Sequence, residues 1–118
     1  MPMPKTVLVI EDEGAIAEML EMLLGEEGYT VCVARTGPEG LERARAATPD
    51  LITLDLALPG VDGTALLRAL HVDGRAPILV ISAHPDVLAP ADRALAAAVL
   101  SKPFDIDDML ASVAGLLP

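Results

Sequence analysis

The sequence predicts an α/β fold in which a parallel β-sheet carries helices on both faces. Short apolar runs of strand length alternate five times with segments whose apolar residues recur at helical spacing. These short runs are apolar at successive positions, which is typical of strands buried between two layers of helices. The composition is 53% hydrophobic but only 2% aromatic, which favours aliphatic packing of helices on a sheet, and 118 residues suit one domain.

The boundaries of the apolar runs define five strands and five helices. The most continuous run ends on Asp55 and is followed by the turn residues Pro59 and Gly60. The predicted strands cover residues 6–10, 30–34, 51–55, 77–81 and 99–101. The predicted helices cover residues 14–25, 38–47, 63–70, 91–97 and 106–116.

Capping residues predict where two of these helices begin. Thr36 or Gly37 caps the second helix and Pro38 takes its first position, since proline is favoured there. Asp105 caps the last helix in the same way.

The segment between the fourth and fifth strands is the least regular part of the pattern. Pro85 and Pro90 interrupt it, so that only a short helix is expected, over residues 91–97. In the helix before it, the residues expected to face the core are Ala65, Leu66, Ala69 and Leu70.

The charge balance excludes several classes of partner. The net charge is −10, which repels nucleic-acid phosphates and anionic lipid, so we expect no direct nucleic-acid binding by this chain. No apolar run approaches the ~18 residues of a membrane span, so no membrane insertion is expected. A single cysteine, Cys32, allows no internal disulfide, and a cytoplasmic location is expected.

Polar residues stand at the carboxyl ends of four predicted strands: Glu11 and Asp12, Asp55, Ser82, and Lys102. In a parallel sheet these ends meet at one edge, where ligands bind. A single Asp after a strand is usually a turn cap, but the joint order of these residues favours a site. Three carboxylates repel one another unless cations lie among them, and Lys102 together with Mg²⁺ would supply the cations. A carboxylate nucleophile, a metal, a lysine and a hydroxyl together indicate a phosphoryl-group site.

These residues and their order resemble the receiver domain of two-component response regulators, over the whole chain. The matching motifs are Glu11-Asp12 after VLVI, Asp55 in LDLALPGVDG, Ser82 after ILVI, and Lys102-Pro103-Phe104. The resemblance implies a flavodoxin-like doubly wound sheet of five parallel strands in the order 2-1-3-4-5. It also implies that residues 1–118 are a single receiver domain, with no output domain in this chain.

The resemblance implies a role for each matching residue. Asp55 would be the phosphoacceptor. Asp12, Asp55 and the backbone carbonyl of Ala57 would bind Mg²⁺, and Glu11 would help through a water molecule. The remaining two residues would contact the phosphoryl group. Lys102 would pair with the acyl phosphate, and Ser82 would hydrogen-bond a phosphoryl oxygen.

The implied partners are a sensor histidine kinase or a histidine phosphotransfer protein as donor, and a downstream protein target. Such a domain is a signalling phosphoacceptor that catalyses only its own phosphorylation and dephosphorylation. An aspartyl-phosphate phosphatase is disfavoured, because it needs a second Asp where this chain has Ala57.

Two departures from the family pattern keep an alternative open. Val99 stands where the family often has an aromatic residue, and LAAA at residues 95–98 replaces the usual glycine before the fifth strand. The alternative is a pseudo-receiver, which would act as an interaction module independently of phosphorylation. Ala57 also offers no polar group to order an attacking water, which predicts a long-lived phosphorylated form. His84 could order such a water or point to solvent, and the second is favoured.

Overall fold

A computed structural model of the protein describes residues 3–74 and 76–117. Its centre is a five-stranded parallel sheet in the order β2-β1-β3-β4-β5. The strands are β1 Thr6–Ile10, β2 Thr30–Ala34, β3 Leu51–Leu54, β4 Ile78–Ser82 and β5 Ala98–Ser101. The predicted fold class and strand order are therefore confirmed.

Helices connect the strands. They are α1 Gly14–Glu26, α2 Gly37–Ala47, α3 Gly63–Asp73, α4 Pro90–Arg93 and α5 Ile106–Leu116, with a 3₁₀ turn at Pro85–Val87. Thr36 caps α2 by accepting a hydrogen bond from the Glu39 amide, so Pro38 occupies the second helical position and not the first. No helix within the described ranges is long and apolar enough to cross a membrane.

The sheet separates two apolar layers, as expected for helices on both of its faces. In β1, Leu8 and Ile10 pack into a cluster with the buried leucines of α3. Val7 and Val9 point the other way, into a cluster with residues of α1 and α5. This alternation explains why β1 is apolar at each position from Val7 to Ile10, since both of its faces are covered there.

The turn between β3 and α3 is tightly built. Asp62 caps α3, and its Oδ1 accepts hydrogen bonds from the amides of Thr64 (3.0 Å) and Ala65 (3.4 Å). A Cβ placed on Gly63 would overlap the carbonyl oxygen of Leu56. Only glycine fits at this position, where the helix start passes against the backbone of the preceding loop.

Two further sequence expectations about the helices are wrong. The helix predicted at residues 91–97 is α4, which begins at Pro90 and already ends at Arg93. The amide of Ala97 donates to the carbonyl of Ile78 at 2.9 Å, so the chain leaves the helix early in order to join the sheet. In α3, Ala65 is exposed and Leu67 is fully buried, because the buried stripe lies further round the helix than predicted.

Candidate functional site

The carboxyl ends of the strands bring the three predicted carboxylates together. One carboxylate oxygen each from Glu11, Asp12 and Asp55 lies within 4.8 Å of the others. The register of the sheet causes this, since Ile10 of β1 pairs with Leu54 of β3 and the next residues leave the sheet side by side. The amide of Asp55 also donates to the carbonyl of Ile10 at 3.1 Å.

Lys102 reaches this cluster from the end of β5. Its Nζ lies 2.8 Å from Glu11 Oε1 and 3.2 Å from Asp55 Oδ2. Glu11 and Asp55 are buried, at 2% and 5% exposure, so water does little to weaken these ion pairs. The Lys102–Pro103 peptide bond is cis. The structure thus places the lysine among the carboxylates, and the pairing with Glu11 is one that the sequence did not predict.

Burial and charge shift the ionisation of this cluster. Burial raises the pKa of Glu11 to about 7, although the hydrogen bond from Lys102 acts in the opposite direction. Burial alone would lower the pKa of Lys102, but the hydrogen bonds and negative charges of Glu11 and Asp55 outweigh it, and the pKa is raised. Lys102 is therefore held as a cation at neutral pH.

Asp55 is held at both carboxylate oxygens. Oδ2 accepts from Lys102, and Oδ1 accepts from the backbone amide of Ala57 at 3.0 Å. Asp12 is half-buried at the rim of the cluster, and Ala57 is exposed. The carbonyl of Ala57 as a metal ligand remains a prediction.

Ser82 is the last residue of β4 and is buried. Its Oγ accepts a hydrogen bond from the His84 amide at 3.2 Å, and its carbonyl accepts one from the Lys102 amide at 2.9 Å. His84 is exposed, in line with the favoured expectation from the sequence. The backbones that carry Ser82 and Lys102 are therefore joined directly at the site edge.

One residue near the site was missed by the sequence reasoning. Arg35 directly follows β2, and its Nη2 donates a hydrogen bond to the backbone carbonyl of Asp12. The sequence did contain a signal for this residue. Arg35 is the first residue after β2, just as Glu11 is the first residue after β1 and Asp55 is the first after β3.

The donor set fits a hard divalent cation. All three acidic groups offer oxygen, which Mg²⁺ prefers, and one lysine does not neutralise three carboxylates. Glu11 is already engaged at both oxygens, with Lys102 at Oε1 and the Glu13 amide at Oε2. Asp55 is likewise engaged at both oxygens, by Lys102 and by the Ala57 amide. Asp12, which is half-buried at the rim of the cluster, is therefore the carboxylate best placed to bind such a cation directly.

Comparisons with known proteins agree with this geometry. The family model for the response regulator receiver domain matches residues 7–114. The chain is 37% identical over 114 residues to the response regulator ArlR of Staphylococcus saprophyticus, which covers 94% of this chain and 51% of ArlR. It is also 37% identical over 86 residues to the DNA-binding response regulator MtrA of Mycobacterium tuberculosis, covering 73% of this chain and 38% of MtrA.

A solved structure shows the same fold. It is that of the response regulator TrrA from Thermotoga maritima in complex with Mg²⁺-BeF, with a TM-score of 0.87 and 29% identity over 95% of this chain and 98% of that one. The chain thus matches TrrA over nearly its full length, but it spans only about half the length of ArlR.

Proposed function

The chain belongs to the response regulator receiver domain family, and on this basis we propose that it accepts a phosphoryl group on Asp55. The observation that carries the proposal is the buried contact of Lys102 with Glu11 and Asp55 inside a cluster of three carboxylates. A partly buried lysine between buried carboxylates at the edge of a parallel sheet is suited to binding an anionic group there.

The metal requirement follows from the same cluster. Asp12, Asp55 and the carbonyl of Ala57 would bind Mg²⁺, and Glu11 would act through a water molecule. When bound, Mg²⁺ supplies positive charge that offsets the charge on the phosphoryl oxygens. The complex of TrrA with Mg²⁺-BeF supports the same choice of ion.

The transfer step uses Asp55 as the nucleophile. A carboxylate oxygen of Asp55 attacks the phosphorus of a phosphohistidine, an O–P bond forms, and the N–P bond breaks with its electron pair returning to the imidazole nitrogen. Lys102 pairs with a phosphoryl oxygen of the product, and the hydroxyl of Ser82 donates a hydrogen bond to another.

The partners follow from this chemistry. The donor is a sensor histidine kinase or a histidine phosphotransfer protein, and the output passes to a downstream protein target. We propose that residues 1–118 form one receiver domain that acts in the cytoplasm and contacts neither nucleic acid nor membrane directly. The domain is a signalling protein and turns over no metabolite.

Intact mass after incubation with acetyl phosphate and Mg²⁺ tests the proposal. We expect the native chain to gain one phosphoryl group, and the gain to require both Mg²⁺ and Asp55. Asp55→Asn is the test variant, and Asp107→Asn is the matched control, because Asp107 is an exposed aspartate on α5. A phosphoryl group on the Asp55→Asn chain, or none on the native chain, would contradict the proposal.

The pseudo-receiver remains the second candidate, because α4 has only four residues and Val99 packs against the core where the family often has an aromatic ring. In that case, binding of the target protein would be the same for the native chain and Asp55→Asn. A target that binds the phosphorylated native chain more tightly excludes this candidate.

A further inference from the structure

The proposed site uses residues that lie at the carboxyl ends of β1, β3, β4 and β5. The carboxyl end of β2 carries Arg35, which has no role in that proposal. The guanidinium Nη2 of Arg35 donates to the backbone carbonyl of Asp12 at 2.5 Å. A Cβ on Gly14 would lie 3.3 Å from the same nitrogen, so the guanidinium rests over the first residue of α1. Arg35 therefore spans the turn that carries Asp12.

The backbone of Arg35 is itself fixed by α2. Its amide donates to Glu39 Oε1 at 2.6 Å, and Glu39 lies in the first turn of α2, where its own amide donates to the Thr36 side chain. One residue earlier, the carbonyl of Ala34 accepts from the Glu11 amide at 3.0 Å. A continuous set of hydrogen bonds thus runs from α2 through Arg35 to the peptide group of Asp12.

We propose that Arg35 is a positioning residue that holds the β1–α1 turn so that the Asp12 carboxylate faces the metal position. This inference rests on the proposed function. A carboxylate binds a cation well only when its backbone is fixed, and groups that orient a metal ligand typically influence affinity strongly. The carbonyl of Asp12 is held by a charged donor, which gives a stronger bond than a neutral one.

Two physical effects of Arg35 predict opposite results when it is removed. As a nearby positive charge, Arg35 repels Mg²⁺, so its removal would tighten metal binding. As a positioning residue, Arg35 keeps Asp12 in place, so its removal would weaken metal binding. The sign of the change in Mg²⁺ affinity therefore separates the two roles.

The experiment measures Mg²⁺ affinity by titration calorimetry and backbone order by ¹⁵N relaxation in the metal-free protein. The test variant is Arg35→Met, and Arg35→Lys keeps a cation and a donor. Lys5→Met is the matched control, because it removes the same charge from an exposed residue just before β1, at the amino ends of the strands and away from the site. Thermal unfolding without metal reports whether each variant remains folded.

We expect Arg35→Met to bind Mg²⁺ roughly tenfold more weakly than the native chain, as for other groups that orient a ligand. The order parameters of the Asp12 and Glu13 amides should fall in the same variant, Arg35→Lys should restore part of both, and Lys5→Met should change neither. Equal or tighter Mg²⁺ binding by Arg35→Met, or unchanged order in this turn, would overturn the inference. A native chain that binds Mg²⁺ but takes up no phosphate contradicts the proposed function alone, and the order parameters then still decide the role of Arg35.

Discussion

The segments that follow β3 and β4 leave the same edge of the sheet but are held in different ways. After β3, the contacts are local: Asp55 accepts from the Ala57 amide, and Asp62 caps α3. Gly63 packs against the backbone of Leu56, seven residues earlier. This segment is fixed by residues that are close together in the chain.

The segment after β4 is held locally by backbone turns, in which the amides of Val87 and Leu88 donate to the carbonyls of His84 and Pro85, both at 3.3 Å. Ser82 accepts from the His84 amide, but Ala89, at the start of α4, makes no capping hydrogen bond with its side chain. The strong contact is tertiary: Arg68 of α3 binds both oxygens of the buried Asp92, at 2.8 and 2.9 Å. This bidentate ion pair ties α4 to α3, while Leu88 and Ala96 on either side of α4 pack into the apolar core.

This difference suits the two segments to different tasks in the proposed function, one holding the phosphoacceptor and the other responding to the phosphoryl group. The segment after β3 carries the proposed phosphoacceptor and gains from being rigid. The segment after β4 begins at Ser82, and because α4 has only four residues and no side-chain cap, we expect it to shift as a unit when the Ser82 hydroxyl changes its partner. The following predictions test this contrast.

The largest effect is expected for Gly63→Ala. The added methyl group meets the backbone of Leu56, and the free energy of unfolding should fall by about 3 kcal/mol. Denaturant titration measures the change. Gly115→Ala in α5 is the control, because a Cβ there meets nothing within 4 Å, and it should be neutral or slightly stabilising. Equal stability of the two variants would refute the close packing described for Gly63.

Exchanging the helix caps sharpens the comparison. Asp62→Ala removes two hydrogen bonds to the start of α3 and should lower the free energy of unfolding by about 1 kcal/mol. Ala89→Ser should give α4 the cap that it lacks and slow amide exchange within Pro90–Arg93. If Ala89→Ser leaves that exchange unchanged, then capping is not what limits the stability of α4.

Arg68→Ala should loosen the segment after β4 without unfolding the protein. The carboxylate of Asp92 loses both of its hydrogen bonds to Arg68, and amide exchange should accelerate from residue 90 to residue 97 while β3 stays protected. Arg45→Ala is the control, since it breaks a more exposed ion pair with Asp73 elsewhere on α3. Faster exchange in β3 as well would show that the two segments are not independent.

The same ion pair predicts a pH dependence. The hydrogen bond from Arg68 lowers the pKa of Asp92 below its ordinary value of 3.8. A carboxyl group with a lowered pKa binds fewer protons in the folded state, so its contribution to stability is complete above pH 3.8 and is lost as the pH falls through the lowered value. The difference in stability between the native chain and Arg68→Ala should thus be constant from pH 7 to pH 5 and shrink below pH 4. A difference that persists unchanged in acid would contradict the pairing.

The smallest effect on the structure is expected for Ala57→Asn, which should change only the lifetime of the phosphorylated form. Ala57 is exposed beside Asp55, and Ala57→Asn adds a polar group that can order an attacking water. We expect several-fold faster loss of phosphate with unchanged stability, measured by the decay of the phosphorylated mass. His84→Ala serves as the comparison in the other segment and should leave the lifetime unchanged.

The features of the fold and site that depend on local sequence patterns were predictable from the sequence. The alternation of strands and helices predicted the sheet, and the polar strand ends predicted that Asp55, Glu11 and Asp12 would meet. The end of α4 was not predictable in this way, because residues 94–97 favour helix, whereas the bond from the Ala97 amide to the Ile78 carbonyl, just before β5, joins residues far apart in the chain. The ion pair of Arg68 with Asp92 was missed for the same reason, since it joins residues 24 positions apart.

The contacts of Lys102 have a consequence for how the protein is made. Lys102 pairs with carboxylates 47 and 91 positions earlier in the chain, so the cluster cannot close until the last strand has been synthesised and has docked. Before that moment, Glu11 and Asp55 face each other without the lysine, and their repulsion opposes the approach of β1 and β3. Docking of β5 therefore completes the sheet and brings the charge of Lys102 to the cluster in one event, so a nascent chain that lacks β5 has not yet assembled the proposed phosphoacceptor site.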